Sequence, residues 1–444
     1  MITSDCHIKA INQEELQDLQ AIADVGISKI TLEDYPNLLV FPDSFEAYDK
    51  GFGNKVICKI IDDGKLLQTD TIVGFVGRNK TQLSIHSRFV DDSKEDYFLH
   101  YMLQKVAKIN LFSLQHTMDE DSVFDFLIYL FPLYLKKAIR QGLFRKYISK
   151  KYNNANVRGV IDINRHIRFN EPFNGRVAYN TREYSYDNEV TQLIRHTIEL
   201  IRKNKRGGDI LNIDPDTSQA VSQIISATPS FMPNEVQAII NKNLRPIAHP
   251  YYSEYTPLQR LCLQILRHEE LKYGQKKNEI YGVLIDAAWL WEEYLATILE
   301  GKYNHYMQDT CKKFKLFKAD KEKAYDHQRI IPDYLSLDMK IVADAKYIPL
   351  NRIKGFKEDS ERAIAIFYKT ITYMYRFCSK QAYLLYPHPD EEVSPIKKEI
   401  ISAIEGENGG TITKLGLRIP SACKNFTEFT TLIKEYEKVF IDLL

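Results

Sequence analysis

The chain is expected to fold as a multidomain α+β protein, with a β-rich N-terminal region, a mostly helical middle and an α/β core in its C-terminal half. Three observations predict this. Its 444 residues exceed one domain of usual size, roughly 100 to 200 residues. From about Lys55 to Phe89, short apolar runs alternate with polar turns, whereas from Tyr97 onward apolar residues recur every three or four positions. Beyond Tyr251 the pattern changes again, to helix, strand, strand, helix, strand.

The first region, taken as 1–115, holds VICKII, a turn at Asp62, Asp63 and Gly64, then TIVGFVG and QLSIHSRF. Polar turns between apolar runs make this a β-meander or small barrel. Tyr97 to Ile109 and Val123 to Ile148 carry the period of amphipathic helices. The middle region, 116–250, continues with strand-like NVRGVIDI, a polar loop with Pro172 and Gly175, and a helix from Glu189 to Arg202 that stops before Gly207 and Gly208. Pro246 and Pro250 punctuate the entry to a third region, 251–390. There Ile280 to Leu299 is expected to form one helix with a wide apolar face. Ile330 to Leu337 and Lys340 to Ile348 read as a hairpin, Glu361 to Cys378 as a helix and AYLLYP as a strand. Residues 391–444 are left as a C-terminal extension with a Gly409-Gly410 turn and a last amphipathic helix.

Composition excludes several classes. Hydrophobic residues make up 44% and charged ones 27%, the balance of a globular rather than a disordered chain. The six cysteines are scattered without a CxxC pair, so zinc-ribbon and disulfide-framework readings fail and a reducing cytoplasm fits. The opening residues lack the basic-then-apolar pattern of a secretory leader. The most apolar stretch, Phe124 to Leu135, contains Asp125 and Pro132 and is too short to span a bilayer. The expectation is therefore a cytoplasmic protein with no membrane partner. A net charge of +1 does not exclude nucleic acid, because acidic surfaces elsewhere can offset a basic groove.

The chemistry is carried by Pro332-Asp333 followed, a hairpin's length later, by Asp344-Ala345-Lys346. Letters alone prove little, since Pro-Asp also occurs at 42–43, 215–216 and 389–390, and DxK recurs at Asp63, Asp92 and Asp338. Context separates them. Asp63 lies in a DG turn and Asp92 in the polar run DDSKED, where charges are solvated without cost. Asp344 and Lys346 instead interrupt the apolar strand KIVADAKYI, and residues two apart on a strand share a face. An acid and a base are thus set side by side against the core, where burying charge costs several kcal/mol unless it is paired or metal-bound. The bland alternative is a structural salt bridge. Asp333 can approach Asp344 across the hairpin, and Glu292 on the upstream helix offers a third carboxylate. Three oxygen donors suit Mg²⁺, with Mn²⁺ as its substitute. Lys346 would steady the charge on a phosphate or orient water, which together describes metal-assisted phosphodiester hydrolysis.

These residues resemble the core of the PD-(D/E)xK nuclease superfamily. More specifically the chain resembles the McrC family, the nuclease subunit of McrBC-type restriction systems, and its LlaJI-like relatives. The resemblance rests on the ordered set TIVGFVGRNKTQLSIHSRF, YFLHYMLQKV, GLFRKYISKKYNNANVRGVIDI, REYSYDNEVTQLIRHTIELI, LWEEYL, IIPDY, IVADAKY and YLLYP. It implies a C-terminal PD-(D/E)xK α/β nuclease core with Asp333, Asp344, Lys346 and Glu292 catalytic, the three acids also binding metal. One departure stands out: where many members carry Gln four residues before Tyr, this chain has Lys369 and Tyr373. Lys369 is an additional candidate phosphate contact, with a solvent-facing helix lysine as the plain alternative. Glu293 points about 100° away from Glu292 on an ideal helix and stays outside the site.

The resemblance also implies a partner, a McrB-like hexameric AAA+ GTPase, whose GTP hydrolysis the chain stimulates and which activates cleavage of double-stranded DNA. Consistent with that, the sequence has no GxxxxGK[ST] phosphate loop, so no nucleotide is expected to bind this chain itself. Family analogy places the N-terminal region in the motor ring, with Arg78, Asn79 and Lys80 as the candidate contacting turn. Basic residues interleaved with aromatics occur from Lys136 to Tyr152 and again at Lys312, Lys313, Lys315 and Lys318. The second run precedes the catalytic hairpin and is the better candidate DNA track, against the ordinary alternative of a solvated helix face. Two other functions stay open: a non-catalytic activator or DNA clamp that keeps the nuclease fold, and a motor-independent nuclease.

Overall fold

The computed structural model describes residues 1–23, 26, 37–41, 56–79, 81–89, 96–107, 120–203, 210–247, 249–273, 280–305, 314–317, 330–348, 350, 361–389, 395–402 and 408–444. The fold is mixed α+β, as the two periodicities predict. The N-terminal part runs β1 (Ile2–Ser4), β2 (Ile8–Ala10), α1 (Leu16–Ile22), β3 (Asn37–Phe41), β4 (Cys58–Ile61), β5 (Leu66–Thr69), β6 (Ile72–Arg78), β7 (Thr81–His86) and α2 (Tyr97–Ala107). The middle contributes α3 (Glu120–Arg140), β8 (Lys146–Asn154), β9 (Val160–Ile161), α4 (Ile163–Asn170), β10 (Val177–Ser185), α5 (Glu189–Lys203), α6 (Pro215–Ala227), α7 (Val236–Lys242) and α8 (Tyr255–Tyr273). There follow β11 (Ile280–Asp286), α9 (Ala287–Ile298), β12 (Tyr303–His305), β13 (Tyr334–Ser336), β14 (Ile341–Ala345) and α10 (Glu361–Phe377). The chain closes with β15 (Gln381–His388), β16 (Ile396–Ile401), β17 (Asn408–Arg418) and α11 (Phe426–Asp442).

These elements form two compact units, one of residues 1–31, 38–123 and 277–444, the other of 32–37 and 124–276. In the first, a five-stranded sheet runs β1-β7-β6-β11-β3 and a smaller antiparallel one β2-β5-β4. The expected helix from Ile280 to Leu299 is here a strand and then a helix. Ile280 to Asp286 pair antiparallel with β6, because Val283 and Ile285 favour extended backbone and Asp286 then caps α9 by accepting from Ala288 N at 2.8 Å. Gly74 and Gly282, both at positive φ, let β6 and β11 close on each other: a Cβ at either would run into a carbonyl oxygen of the other strand.

The third sheet of this unit runs β12-β13-β14-β15-β17-β16. Antiparallel β13 and β14 are the predicted hairpin, while β14, β15 and β17 are parallel. Parallel neighbours need a crossover, and α10 supplies it between β14 and β15. Its Ala363, Tyr373 and Met374 pack on Leu335, Val342, Leu384 and Ile412. The residues read as a C-terminal extension supply β16 and β17 to this same sheet. Helix α11 adds Glu437, 6% exposed, which accepts from Tyr101 of α2 at 2.9 Å and from Tyr294 of α9 at 2.7 Å. Further from the sheet, Asp5 accepts from the Arg88 backbone N at 2.6 Å and from its Nε at 3.0 Å. The Arg88 guanidinium lies 4.7 Å from the centroid of the buried Tyr347 ring, and Phe89 meets the same ring edge-on.

In the second unit the helix expected from Val123 to Ile148 stops at Arg140. Gly142, at φ +91°, turns the chain out, and Tyr255 of α8 holds its carbonyl at 2.8 Å. The basic and aromatic residues that follow therefore lie on a strand, β8, paired antiparallel with β10 from Lys146 opposite Ser185 to Asn154 opposite Val177. Helix α5 buries Leu193, Ile194, Ile198 and Ile201 as the core of this unit. Among the described residues no helix is long and apolar enough to cross a membrane.

Candidate active site

β14 ends in the site. Its central residues are apolar and buried, and Asp344, 1% exposed, sits among them one residue before the strand ends. Lys346 follows at once, its ammonium in ion-pair contact with Asp344 and 3.1 Å from the Ala345 carbonyl oxygen. Neither Asp344 oxygen accepts a hydrogen bond of ordinary geometry. Asp333, half-buried at the start of β13, accepts from Ala345 N at 2.7 Å and so reaches across the hairpin as expected.

One carbonyl braces this arrangement. Leu385 O on β15 accepts from Lys346 N at 2.8 Å and from Trp291 Nε1 at 3.3 Å, tying the end of β14 to α9. Helix α9 thereby presents Glu292. Its carboxylate accepts from His305 Nε2 at 3.0 Å, and its carbonyl accepts from the Tyr334 hydroxyl. His305 and Tyr334, whose rings lie 5.2 Å apart, escaped sequence reasoning. The only signal for them is that β12 and β13 are adjacent strands, which needs the sheet order.

The electrostatics split the two aspartates. Burial, the Asp344 carboxylate and the Glu292 carboxylate push Asp333 well above the usual carboxylate range. Burial pushes Asp344 up too, but the ammonium groups of Lys346 and Lys369 outweigh it and leave Asp344 below its ordinary value. The same cluster therefore pushes the two carboxyls in opposite directions. His305 is lowered by burial, yet the hydrogen bond and charge of Glu292 win and raise it.

Lys369 lies on the exposed side of α10 but within the field of this pair: Asp344 is the largest influence on its ammonium and raises it. One turn on, Tyr373 lies under it with 5.5 Å between Nζ and the ring centroid, and its hydroxyl donates to Ile331 O at 2.9 Å. Glu293 adds only a weaker field at His305.

Among the described residues no three His, Cys, Asp or Glu side chains close in far enough to hold a metal ion unaided. Two carboxylates completed by water are nevertheless what Mg²⁺ commonly takes, and the buried Asp344 carboxylate, in ion-pair contact with Lys346, stands beside Asp333. Asp333 and Asp344 fit such an ion, and Glu292 stands behind them engaged by His305.

The other sequence candidates lie elsewhere. Arg78 and Asn79 are both held by Asp18 of α1, at 3.2 and 2.7 Å, so the turn is pinned to its own unit; Lys80 falls outside the described residues. Lys312, Lys313 and Lys318 also fall outside them. Lys315 is exposed, and its carbonyl accepts from Arg376 at 2.8 Å. On β8, Lys146 pairs with Glu189 and Lys150 with Glu183.

A family described as the McrBC 5-methylcytosine restriction system component matches residues 67–387, more than half of the chain. No curated protein matches. Among solved structures, one similar to this chain is a half-complex from a tetradecameric assembly of Thermococcus gammatolerans McrB AAA+ hexamers with bound McrC. It is 13% identical with a TM-score of 0.47, and the likeness covers 100% of both chains. Another is the Thermococcus gammatolerans McrBC complex, 13% identical with a TM-score of 0.31 over 69% of this chain and 89% of that one.

Proposed function

The chain belongs to the family of McrBC 5-methylcytosine restriction system components, and from that membership we propose that it is the nuclease subunit of such a system, hydrolysing phosphodiesters of double-stranded DNA in a Mg²⁺-dependent reaction. The observation that carries this reading is Asp344: a carboxylate 1% exposed, held below its ordinary value by two lysines, beside a half-buried Asp333 whose carboxyl is raised by burial and its acidic neighbours. A structural salt bridge needs only Asp344 and Lys346; the second acid, Asp333, bonded across the hairpin to Ala345 N, is what a cation site adds.

Asp333 and Asp344 would hold the magnesium ion, which when bound supplies Lewis-acid and water-activating chemistry. The Lys346 ammonium, fixed by the Ala345 carbonyl, is placed to neutralise charge that builds on the phosphate. Glu292 and His305 form a pair close behind that can hold and pass a proton at Nε2.

The partner we propose is a McrB-like AAA+ GTPase hexamer, since the similar solved assemblies are described as McrB hexamers with bound McrC and this sequence carries no phosphate loop of its own. The test is a plasmid cleavage assay on the reconstituted complex with GTP and Mg²⁺. Asp344→Ala and Lys346→Ala should each abolish cleavage while leaving partner binding and stimulated GTP turnover intact. Undiminished cutting by both variants would sink the assignment. Strong stimulation of GTP turnover with no cleavage by the native chain would leave a non-catalytic activator.

A further inference from the structure

We propose that Tyr347 is a positioning residue for Lys346: its ring closes a circuit of contacts that sets the backbone from which the lysine ammonium reaches Asp344. The inference rests on the nuclease reading above. Lys346 stands just past the end of β14, and its backbone N donates to Leu385 O at 2.8 Å. A lysine carries its charge on a flexible four-carbon stem, so the place of that charge depends on how firmly the backbone beneath it is held. Leu385 holds one side, and Tyr347 holds the other. The Tyr347 ring is 4% exposed, with the Arg88 guanidinium 4.7 Å from its centroid and the Phe89 ring edge-on at 6.1 Å. Asp5, 2% exposed, fixes Arg88 in turn by accepting from its backbone N at 2.6 Å and its Nε at 3.0 Å.

From Phe89 the contacts run back to the first anchor. Phe89 meets Phe98 of α2 edge-on at 5.2 Å, Phe98 lies 6.2 Å from Trp291 of α9, and Trp291 Nε1 donates to the same Leu385 O at 3.3 Å. Phe98 and Trp291 are fully enclosed, so each link is packed rather than grazing. One aromatic cluster thus grips Lys346 from both sides, and it also carries Glu292, the residue after Trp291. The Tyr347 hydroxyl takes no part, because among the described residues it has no hydrogen-bond partner. The face of the ring receives the cation and its neighbour packs at the edge, so the ring is what a substitution must keep.

The test is single-turnover plasmid cleavage by the complex with its motor, GTP and Mg²⁺, measured beside DNA affinity and stimulated GTP turnover. Tyr347→Leu keeps the position apolar but removes the ring. Its cleavage rate at saturating DNA should fall about ten- to a hundredfold, the size of effect that a misplaced catalytic group has, with DNA affinity and GTP turnover native. Tyr347→Phe keeps the ring and should restore the rate. Arg88→Lys keeps a charge opposite Asp5 without the stacking plane and should fall with Tyr347→Leu; it carries the test if the leucine variant does not fold. Native cleavage by Tyr347→Leu and Arg88→Lys overturns the proposal. Equal losses in the leucine and phenylalanine variants overturn it too, and so does a loss of DNA affinity and GTP turnover in step with cleavage, the pattern of a merely structural role. Each of these leaves the nuclease reading standing, whereas a native complex that cuts nothing overturns both.

Discussion

At the scale of single residues, the proposed site sets two neighbouring aspartates in opposite electrostatic surroundings, raising one carboxyl and lowering the other. Asp333→Asn tests that division, because the amide oxygen can still accept from Ala345 N while the ionisable group is gone. We expect cleavage to fall at least about a hundredfold, the size of a lost catalytic charge, with no drop in melting temperature. A variant that cuts normally would show that Asp333 only spaces the hairpin. A second acid reports on stability instead. Asp214 caps α6, accepting from Thr217 N at 2.8 Å, and is bonded to Lys136 of α3. Burial acts to raise it, but those bonds win and hold it below the usual range. A depressed acid stabilises the fold above its unfolded value near pH 4, and that contribution is lost as pH falls through its folded value. Asp214→Ala should therefore cost about 1 kcal/mol or somewhat more at pH 7, a loss that shrinks below about pH 4. Urea unfolding of native and variant chains at the two pH values measures it, and a pH-independent difference would refute the ionic part.

At the scale of elements, the close approach of β6 and β11 is the most exacting contact in the first unit. Gly282→Ala meets both a carbonyl oxygen and a positive φ, whereas Gly142→Ala has a positive φ but nothing within 4 Å of the new methyl group. Clash plus strain should cost about 2 to 4 kcal/mol at position 282, and strain alone about 1 kcal/mol at position 142. Thermal melting ranks the two; equal losses would mean that the strands can part without penalty. These glycines also mark where the sequence stopped being legible. The β13–β14 hairpin, α10 and β15 follow from local period, and they carry Asp333, Asp344 and Lys346, so that much of the site could be read in advance. The run IYGVLID could not, because an apolar stretch before a helix has the composition of either state and only its pairing with β6 decides. The predicted helix runs past the end of α3 for the related reason that the alternation in β8 is weak in composition, Lys150 and Tyr152 standing with Ile148 on its half-buried face and covering it with their stems. His305 was invisible because its partner lies across a sheet order that no window contains.

At the scale of the whole molecule, the C-terminal segment belongs to the sheet that carries Asp344. β17 is bordered on both sides, by β15 and β16, and α11 is knotted to α2 and α9 through the buried Glu437. Glu437→Ala strips two tyrosine hydroxyls and Lys105 of their shared acceptor and should cost about 3 kcal/mol, the range for breaking a buried charged network. Chemical denaturation measures it, and a loss under about 0.5 kcal/mol, the level of an ordinary surface change, would mean water replaces the carboxylate freely. The Tyr347 ring, adjacent in sequence to Lys346, has a comparable reach in the other direction, since it is clasped by Arg88 and Phe89, and Arg88 is in turn anchored by Asp5. For protein engineering this means the proposed cutting centre is no portable cassette. A fusion enzyme carrying only the PD and DxK strands would leave that ring bare and the lysine beside it free to wander, so any graft must bring the first ninety or so residues along with it.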